Sequence, residues 1–152
     1  MTTVLLETTM GDVRIELFDD AMPGTTKNFR TLVEKRFYDG TVFHRVIAGF
    51  MVQGGDPDGT GFGGPGYRIK DELPPTNRNA RGTISMANAG PDTGGSQFFV
   101  NVADNLRLDP KHPAFGKVVA GMDVVDAIST TPTDPRDRPR TPVSIRRARV
   151  VP

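Results

Sequence analysis

The residue that stands out as a candidate for chemistry is an arginine set among apolar neighbours. The segment 43–56 reads Phe-His-Arg-Val-Ile-Ala-Gly-Phe-Met-Val-Gln-Gly-Gly-Asp, and its β-branched and aromatic residues predict two strands. A period of two places Phe43, Arg45 and Ile47 on one face of the first strand. An arginine in such surroundings either belongs to a buried ion pair or acts on a ligand, and the pattern leaves both interpretations open.

Three motif matches elsewhere lack features that their chemistry requires. The glycine-rich segment 59–64 fits G-x-G-x-x-G, but a proline and a strand-like segment follow where a dinucleotide site needs a helix. Asp56, Asp58 and Gly61 fit three positions of a calcium loop, whereas position 12 is tyrosine instead of glutamate. Segment 94–98 resembles a nucleophile elbow without its second glycine. We therefore expect no cofactor and no metal.

The remaining polar candidates favour structural roles. Only two histidines occur, His44 and His112, which is too few for a zinc site of three or four ligands. His44 alternates with Val42 and Val46, a pattern that favours a hydrogen-bonded core histidine. Six arginines lie between positions 136 and 149, but acidic residues interrupt them and no aromatic residue is interleaved. We therefore expect no nucleic-acid binding.

Length and charge narrow the class of protein. The chain has 152 residues, and we expect a single domain over residues 1–152. The 19 basic and 18 acidic residues leave a net charge of +1, too small to attract nucleic acid or anionic lipid. Cysteine is absent, and neither a signal peptide nor an apolar run of the ~20 residues needed for a membrane span is recognisable. These features predict a cytoplasmic monomer that does not bind membranes.

Short patterned segments separated by turns indicate an all-β fold with two helices. A hairpin is predicted around the alternating segment 13–17, and a helix from Pro23 to the Asp39-Gly40 turn. Further strands are predicted at 41–47, 50–53, 67–70, 83–87, 97–102, 115–119 and 143–151, with a second helix at 122–128. Such elements form an antiparallel barrel or a sandwich with helices over its ends, and the pattern does not choose between them.

The segment 43–56 resembles the signature of the cyclophilins, a family of peptidyl-prolyl cis–trans isomerases. Other stretches resemble cyclophilin segments in the same order along the chain, namely 11–18, 23–29, 85–90, 95–99, 108–112, 115–118 and 121–125. The resemblance covers nearly the whole chain and looks like that of a minimal member of bacterial or archaeal type. It implies a closed eight-stranded antiparallel β-barrel capped by two α-helices.

The resemblance also implies a set of site residues. Arg45 matches the catalytic arginine of the family, and Gln53 matches the amide that steadies it and contacts the substrate. The apolar pocket for the proline ring is matched by Phe50, Met51, Phe99 and Leu108, with His112 at its rim. Backbone contacts to the peptide are matched by Ala87 and Asn88, and the groove for residues that precede proline by Gly59, Ala89 and Gln97.

The implied activity is faster rotation about X-Pro peptide bonds of proline-containing polypeptides, which assists protein folding. Arg107 stands where many cyclophilins have a tryptophan that contacts the cyclic peptide cyclosporin, so we expect only weak binding of such peptides. The alternative is a proline-peptide binding module or chaperone with little catalysis. Arg45, Gln53 and Phe99 favour the enzyme, because a binding module needs the apolar pocket more than it needs the guanidinium.

Overall fold

The computed structural model describes residues 1–152 and contains one eight-stranded antiparallel sheet and two α-helices. The strands are β1 (Thr3–Thr8), β2 (Gly11–Leu17), β3 (Arg45–Ile47), β4 (Met51–Gly54), β5 (Thr83–Met86), β6 (Phe98–Asn101), β7 (Ala114–Ala120) and β8 (Ile145–Val151). The helices are α1 (Pro23–Glu34) and α2 (Met122–Ser129), with a short 3-10 turn at Leu106–Leu108. Neither helix has the length and hydrophobicity that a bilayer crossing would need.

The sheet is an open half-barrel, so the expectation of a closed barrel is wrong. The strand order is β3-β4-β6-β5-β7-β2-β1-β8, and the sheet curls through 214° without a ladder between its edge strands β3 and β8. Backbone before β3 spans part of this gap, because Phe43 N–H donates to Val143 O at 2.9 Å and Ile145 N–H donates to Thr41 O at 2.8 Å.

The core lies between one face of the curved sheet and the two helices, with Phe29, Leu32 and Val33 from α1 and Val125 and Ile128 from α2. Pro23 occupies the first turn of α1, where its missing N–H costs nothing, and Phe29, Leu32 and Val33 face inward as the spacing predicts. The helix ends at Glu34, earlier than predicted, and the chain then turns through Arg36 at a φ of 61°. Phe37, the next apolar residue of the i, i+3, i+4, i+8 stripe that begins at Phe29, still reaches the core, because its half-buried side chain packs against the core from this turn.

Most of the predicted strands are confirmed, with ends that differ by a few residues. Two segments are shorter than expected. The predicted strand 41–47 is ordered as β3 only over Arg45–Ile47, and the predicted strand 67–70 is reduced to one bridge between Ile69 and Gly94. Glycine and proline surround this second segment, so few of its residues can pair continuously. The segment lies in the long connection that crosses from β4 to β5 and forms part of the site described below.

Candidate active site

Cross-strand register brings four side chains into one row on the face of the sheet opposite the core. Arg45 pairs with Gln53, Gln53 with Phe99, and Phe99 with Ser85, across strands β3, β4, β6 and β5. Directly opposed residues on antiparallel strands project to the same side, with Cβ atoms about 4.5–5.5 Å apart. The neighbouring strand residues Val46, Val52, Phe98 and Val100 project to the other side and belong to the core. The row is therefore a consequence of strand order and not of sequence proximity.

Arg45 is exposed and takes part in no ion pair of the structure. The nearest hydrogen-bonding group is Oε1 of Gln53, which accepts from Arg45 Nη1 at 3.5 Å. The interpretation of Arg45 as half of a buried ion pair is therefore wrong. Phe43, expected on the same face, instead packs its ring in the core. The guanidinium is held at one point and keeps its other N–H groups available to a ligand.

A chain of side-chain amides continues from Arg45 across the site. Gln53 Nε2 donates to Gln97 Oε1 at 3.0 Å. Gln97 Nε2 in turn donates to the carbonyl oxygens of Gly61 and Gly63, both at 2.9 Å. This chain connects the exposed arginine with the segment that follows β4, which we call the glycine-rich loop (residues 56–66).

An apolar patch lies beside the row and consists of Phe50, Met51, Phe99, Leu108 and His112. Phe99 and Met51 are buried, and the other three side chains are half-buried. The His112 ring meets the Phe99 ring edge to face, with centroids 5.4 Å apart. His112 Nδ1 lies 3.0 Å from the carbonyl oxygen of Met86, and a carbonyl can only accept, so Nδ1 carries the hydrogen. The guanidinium carbon of Arg107 lies 5.0 Å from the centre of the Phe50 ring.

Buried asparagines position the segment that carries Leu108 and His112, and the sequence did not reveal them. Asn79 donates to Asp109 Oδ1 at 3.1 Å and to the His112 carbonyl at 3.0 Å. Asn77 donates to the same carbonyl at 3.0 Å and to the Asp109 carbonyl at 2.8 Å. Asn105 donates to the Phe50 carbonyl at 2.9 Å. Asn77 and Asn79 lie between Pro74-Pro75 and β5, where asparagines are typical turn residues, so only their burial marks this role.

A groove with a volume of about 440 Å³ opens next to the apolar patch. Its walls include five of the predicted site residues, namely Gln53, Ala87, Asn88, Ala89 and Gln97. Gln53 and Gln97 lie between this groove and Arg45, so the predicted site has two parts that meet at the amide chain. Asn88 is fixed by its side chain, which donates to the Lys111 carbonyl at 2.8 Å.

Gly59 is not part of the wall of this groove, so its contact with the residues before proline stays a prediction. Gly59 is buried behind the glycine-rich loop, where its carbonyl accepts a hydrogen bond from the Arg138 guanidinium. A Cβ at this position would come within 3.3 Å of Val42. Gly61 and Gly63 line the groove instead. The conformation of the loop between Gly54, where β4 ends, and Gly61 decides which glycine faces the groove. A sequence match does not specify that conformation.

Asp56 organises the glycine-rich loop. Its Oδ2 accepts backbone N–H groups of Thr60 at 2.9 Å, Gly61 at 2.5 Å and Gly63 at 3.2 Å, and its Oδ1 accepts that of Asp58 at 2.8 Å. Burial would raise the pKa of Asp56, but these four donors outweigh it and lower the pKa below its ordinary value. The Asp56 carboxylate, which matched a calcium ligand in the sequence, thus accepts backbone N–H groups on both of its oxygens.

His44 lies under this loop, and the core position expected for it is confirmed. Its Nδ1 has no hydrogen-bond partner. Burial lowers the pKa of His44, and the nearby Asp56 carboxylate opposes this shift only in part because Arg138 and Arg45 also lower it. The imidazole is therefore neutral at neutral pH and adds no charge near Arg45.

Comparison with known proteins gives a consistent result over almost the whole chain. Residues 3–150 match a sequence model described as cyclophilin type peptidyl-prolyl cis-trans isomerase/CLD. A Neurospora crassa protein named peptidyl-prolyl cis-trans isomerase-like 1 is 51% identical over 154 residues, covering 99% of this chain and 94% of that protein. The probable peptidyl-prolyl cis-trans isomerase A of Mycobacterium leprae is 47% identical over 161 residues, covering 94% of this chain and 88% of that protein.

A solved structure shares the fold. The cyclophilin type peptidyl-prolyl cis-trans isomerase of Cryptosporidium parvum, crystallised in the presence of the dipeptide Ala-Pro, superimposes with a TM-score of 0.95. Its sequence is 35% identical, and the match covers 99% of each chain.

Proposed function

The chain belongs to the cyclophilin-type peptidyl-prolyl cis–trans isomerases, and on that basis we propose that Arg45 catalyses the rotation of X-Pro bonds in bound polypeptides. The observation that carries this assignment is the row formed by Arg45, Gln53 and Phe99, in which an unpaired guanidinium stands beside an apolar patch. Crystallisation of the Cryptosporidium relative in the presence of Ala-Pro supports a proline peptide as the substrate class.

The reaction breaks no covalent bond, so the site has to stabilise a twisted amide. Resonance in the planar amide sets a barrier of about 18–20 kcal/mol, and uncatalysed X-Pro rotation takes tens to hundreds of seconds. In the twisted state the proline nitrogen regains its lone pair and can accept a hydrogen bond. An N–H of Arg45 aimed at that nitrogen therefore stabilises the transition state more than the planar substrate. Gln53, bonded to Nη1, limits the directions in which the guanidinium can point.

The apolar patch supplies what one hydrogen bond cannot. A rate enhancement on the order of 10⁵ requires about 7 kcal/mol of transition-state stabilisation. One charge-assisted hydrogen bond contributes roughly 1.5–3 kcal/mol. We assign the remaining stabilisation to the proline ring's contact with Phe99, Met51 and their neighbours, which positions the substrate and removes water. The planar amide is more dipolar than the twisted one, so it loses more hydration free energy when water is removed.

Backbone contacts hold the peptide while the bond rotates. Ala87 and Asn88 follow β5 directly, and the N–H of Ala87 donates to the Gln97 carbonyl at 3.0 Å, which fixes this stretch against β6. The Asn88 side chain is bound to Lys111, so Asn88 is tied to the segment that carries the apolar patch. We assign to these two residues the main-chain contacts with the residues before proline.

The test is the effect of Arg45 substitutions on the exchange between cis and trans forms of a proline peptide, measured by NMR. Arg45→Ala should fold normally, because the side chain is exposed, and should lose about 10- to 100-fold in catalysed exchange. Arg45→Lys should recover little, because an ammonium lacks the planar donor fork. Arg146→Ala is the matched control, since Arg146 is an exposed arginine of β8 that takes part in no ion pair of the structure. Near-wild-type exchange in Arg45→Ala would refute the assignment.

The same experiment separates the enzyme from a proline-peptide binding module or chaperone with little catalysis. A binding module would retain peptide affinity and produce no exchange even as the wild-type protein. We further propose that the protein acts as a cytoplasmic monomer during the folding of other polypeptides. Arg107, stacked on Phe50, supports the prediction that cyclosporin-like peptides bind weakly, because the tryptophan that they contact in many cyclophilins is replaced.

A further inference from the structure

Phe62 is the most exposed large apolar side chain of the molecule, with 96% of its surface open to solvent. Isolated apolar residues are common on protein surfaces and need no explanation by themselves. The position of Phe62 is unusual, because it forms part of the wall of the 440 Å³ groove and stands between Gly61 and Gly63. Both flanking glycines are bonded to the amide chain that begins at Arg45.

The backbone on either side of Phe62 is held by several independent bonds. Asp56 accepts the N–H groups of Gly61 and Gly63, and Gln97 donates to the carbonyls of the same two residues. Arg138 binds the Gly59 carbonyl from behind. The backbone that carries the phenyl ring is therefore held in place, so little backbone entropy remains to be lost when a ligand covers the ring.

The groove continues directly from the proposed proline site. Gln53 belongs to both, since it bonds Arg45 and lines the groove. An extended peptide advances about 3.3–3.6 Å per residue, so a chain that leaves the apolar patch along Ala87 and Asn88 carries its preceding side chains into the groove within two or three residues. Apart from Arg68, the groove walls carry no charged side chain.

We propose that Phe62 is a specificity-determining residue, whose ring covers an apolar side chain two or three positions before proline in the bound peptide. This inference rests on the proposed function, because it takes the groove as the continuation of the peptide site. Contact between the ring and an apolar side chain removes both from water, and the anchored loop makes the contact without a large rearrangement. Arg68 is the competing determinant, since its guanidinium favours an acidic side chain at the same positions.

The test compares peptides of equal length that carry leucine, glycine or aspartate at the second and third positions before proline. The wild-type protein should give the highest kcat/KM with leucine. In Phe62→Ala the ratio of kcat/KM for the leucine peptide to that for the glycine peptide should fall about threefold to tenfold. Phe62→Leu should recover part of the ratio. Met10→Ala, which removes an exposed apolar side chain from the β1–β2 turn, should leave it at the wild-type value.

Three outcomes would overturn the inference while leaving the proposed function intact. The first is a leucine-to-glycine ratio of kcat/KM that is the same in Phe62→Ala as in the wild type. The second is an equal loss of kcat/KM in Phe62→Ala on all peptides, including a blocked Ala-Pro dipeptide. The third is a wild-type kcat/KM that is highest with the aspartate peptide. Failure of the proposed function has a different signature, namely absence of catalysed exchange by the wild-type protein on every peptide, or full activity of Arg45→Ala.

Discussion

At the scale of single residues, Gln53 is the point where the two halves of the site meet. It bonds Arg45 on one side and Gln97 on the other, and it stands directly opposite Phe99 on the neighbouring strand. Arg45 differs from a structural arginine because nothing acidic neutralises it. The sequence indicated Arg45 as the chemically important residue. Its position beside Phe99 depends on Gln53, which the register between β4 and β6 places between them.

Phe99→Ala should weaken substrate binding and lower stability together. Phe99 is 4% exposed and its ring is packed against His112, so truncation leaves a cavity that costs about 3–5 kcal/mol. For a chain of this size that corresponds to a fall in melting temperature of roughly 6–20 °C. KM for a proline peptide, measured below the temperature at which the variant unfolds, should rise because the ring proposed to contact proline is gone.

Phe99→Leu is the control that separates the two effects. It refills most of the volume and should recover stability, yet it cannot restore the aromatic face. If the leucine variant melts near the wild type and binds the peptide with unchanged affinity, Phe99 has no place in the proline pocket.

At the scale of elements, the glycine-rich loop behaves as one unit organised by a single carboxylate. Asp56 is 1% exposed and accepts four backbone N–H groups, while Gln97 and Arg138 hold the loop from its two sides. The loop adds no regular strand, but it positions Gly61, Phe62 and Gly63 at the groove. This segment matched both a calcium motif and a dinucleotide motif. Those sites are also built from glycines and aspartates, the same residue types that form this loop of clustered N–H groups around a carboxylate.

Asp56→Asn should destabilise the protein in a manner that depends on pH. The folded state lowers the pKa of Asp56, so its contribution is complete above the ordinary value of 3.8 and is lost as pH falls through the lower folded value. We expect Asp56→Asn to lose about 1–3 kcal/mol of unfolding free energy at pH 7, because an amide offers one acceptor oxygen and no charge.

Urea denaturation of both proteins at pH 7, 5 and 3 measures this effect. The difference between wild type and variant should be equal at pH 7 and pH 5 and smaller at pH 3. The comparison removes the contributions of other acidic groups, including Asp126 and Asp134, whose pKa values are also lowered. A difference that stays constant down to pH 3 would contradict the role of the Asp56 charge.

At the scale of the whole molecule, one face of the sheet packs in the core and the opposite face carries the candidate active site. The core side of the sheet carries an aromatic cluster in which the Phe29 ring lies 5.2 Å from Tyr38, 5.7 Å from Phe98 and 5.1 Å from Phe115. The opposite side carries the row of Arg45, Gln53 and Phe99. Because Phe98 and Phe99 are adjacent in β6, one strand serves both faces through the two-residue period.

Phe29→Ala should therefore lower stability with little effect on the catalysed reaction. The fully buried ring makes three aromatic contacts, so its removal should cost about 3–5 kcal/mol. Thermal unfolding measures the loss, and kcat/KM of the folded fraction at 10 °C should remain within about twofold of the wild type, a change worth under ~0.5 kcal/mol. Phe37→Ala, at the half-buried edge of the same cluster, should lose less stability. Equal losses in the two variants would show that the cluster does not form the centre of the core.

The sequence by itself determined most of the strands, both helices and the residue types that are available for chemistry. Alternation identified most strands, the apolar stripe identified α1, and the segment 43–56 identified Arg45 as the residue to examine. These features depend on residues within a few positions of one another, where strand and helix periods are set by local backbone geometry. The cyclophilin resemblance added the family, and the comparisons confirm it.

Only the tertiary structure decided which of these residues meet and how. Arg45, Gln53, Phe99 and Gln97 come together because β4 pairs with β6, whose residues lie more than 40 positions away in the chain. The open half-barrel, the hydrogen bond between Arg138 and the Gly59 carbonyl, and the anchoring role of Asn79 likewise depend on which backbone groups find partners across the fold. Buried polar groups must be satisfied by whatever is near them in space, and that requirement has no local signature in the sequence.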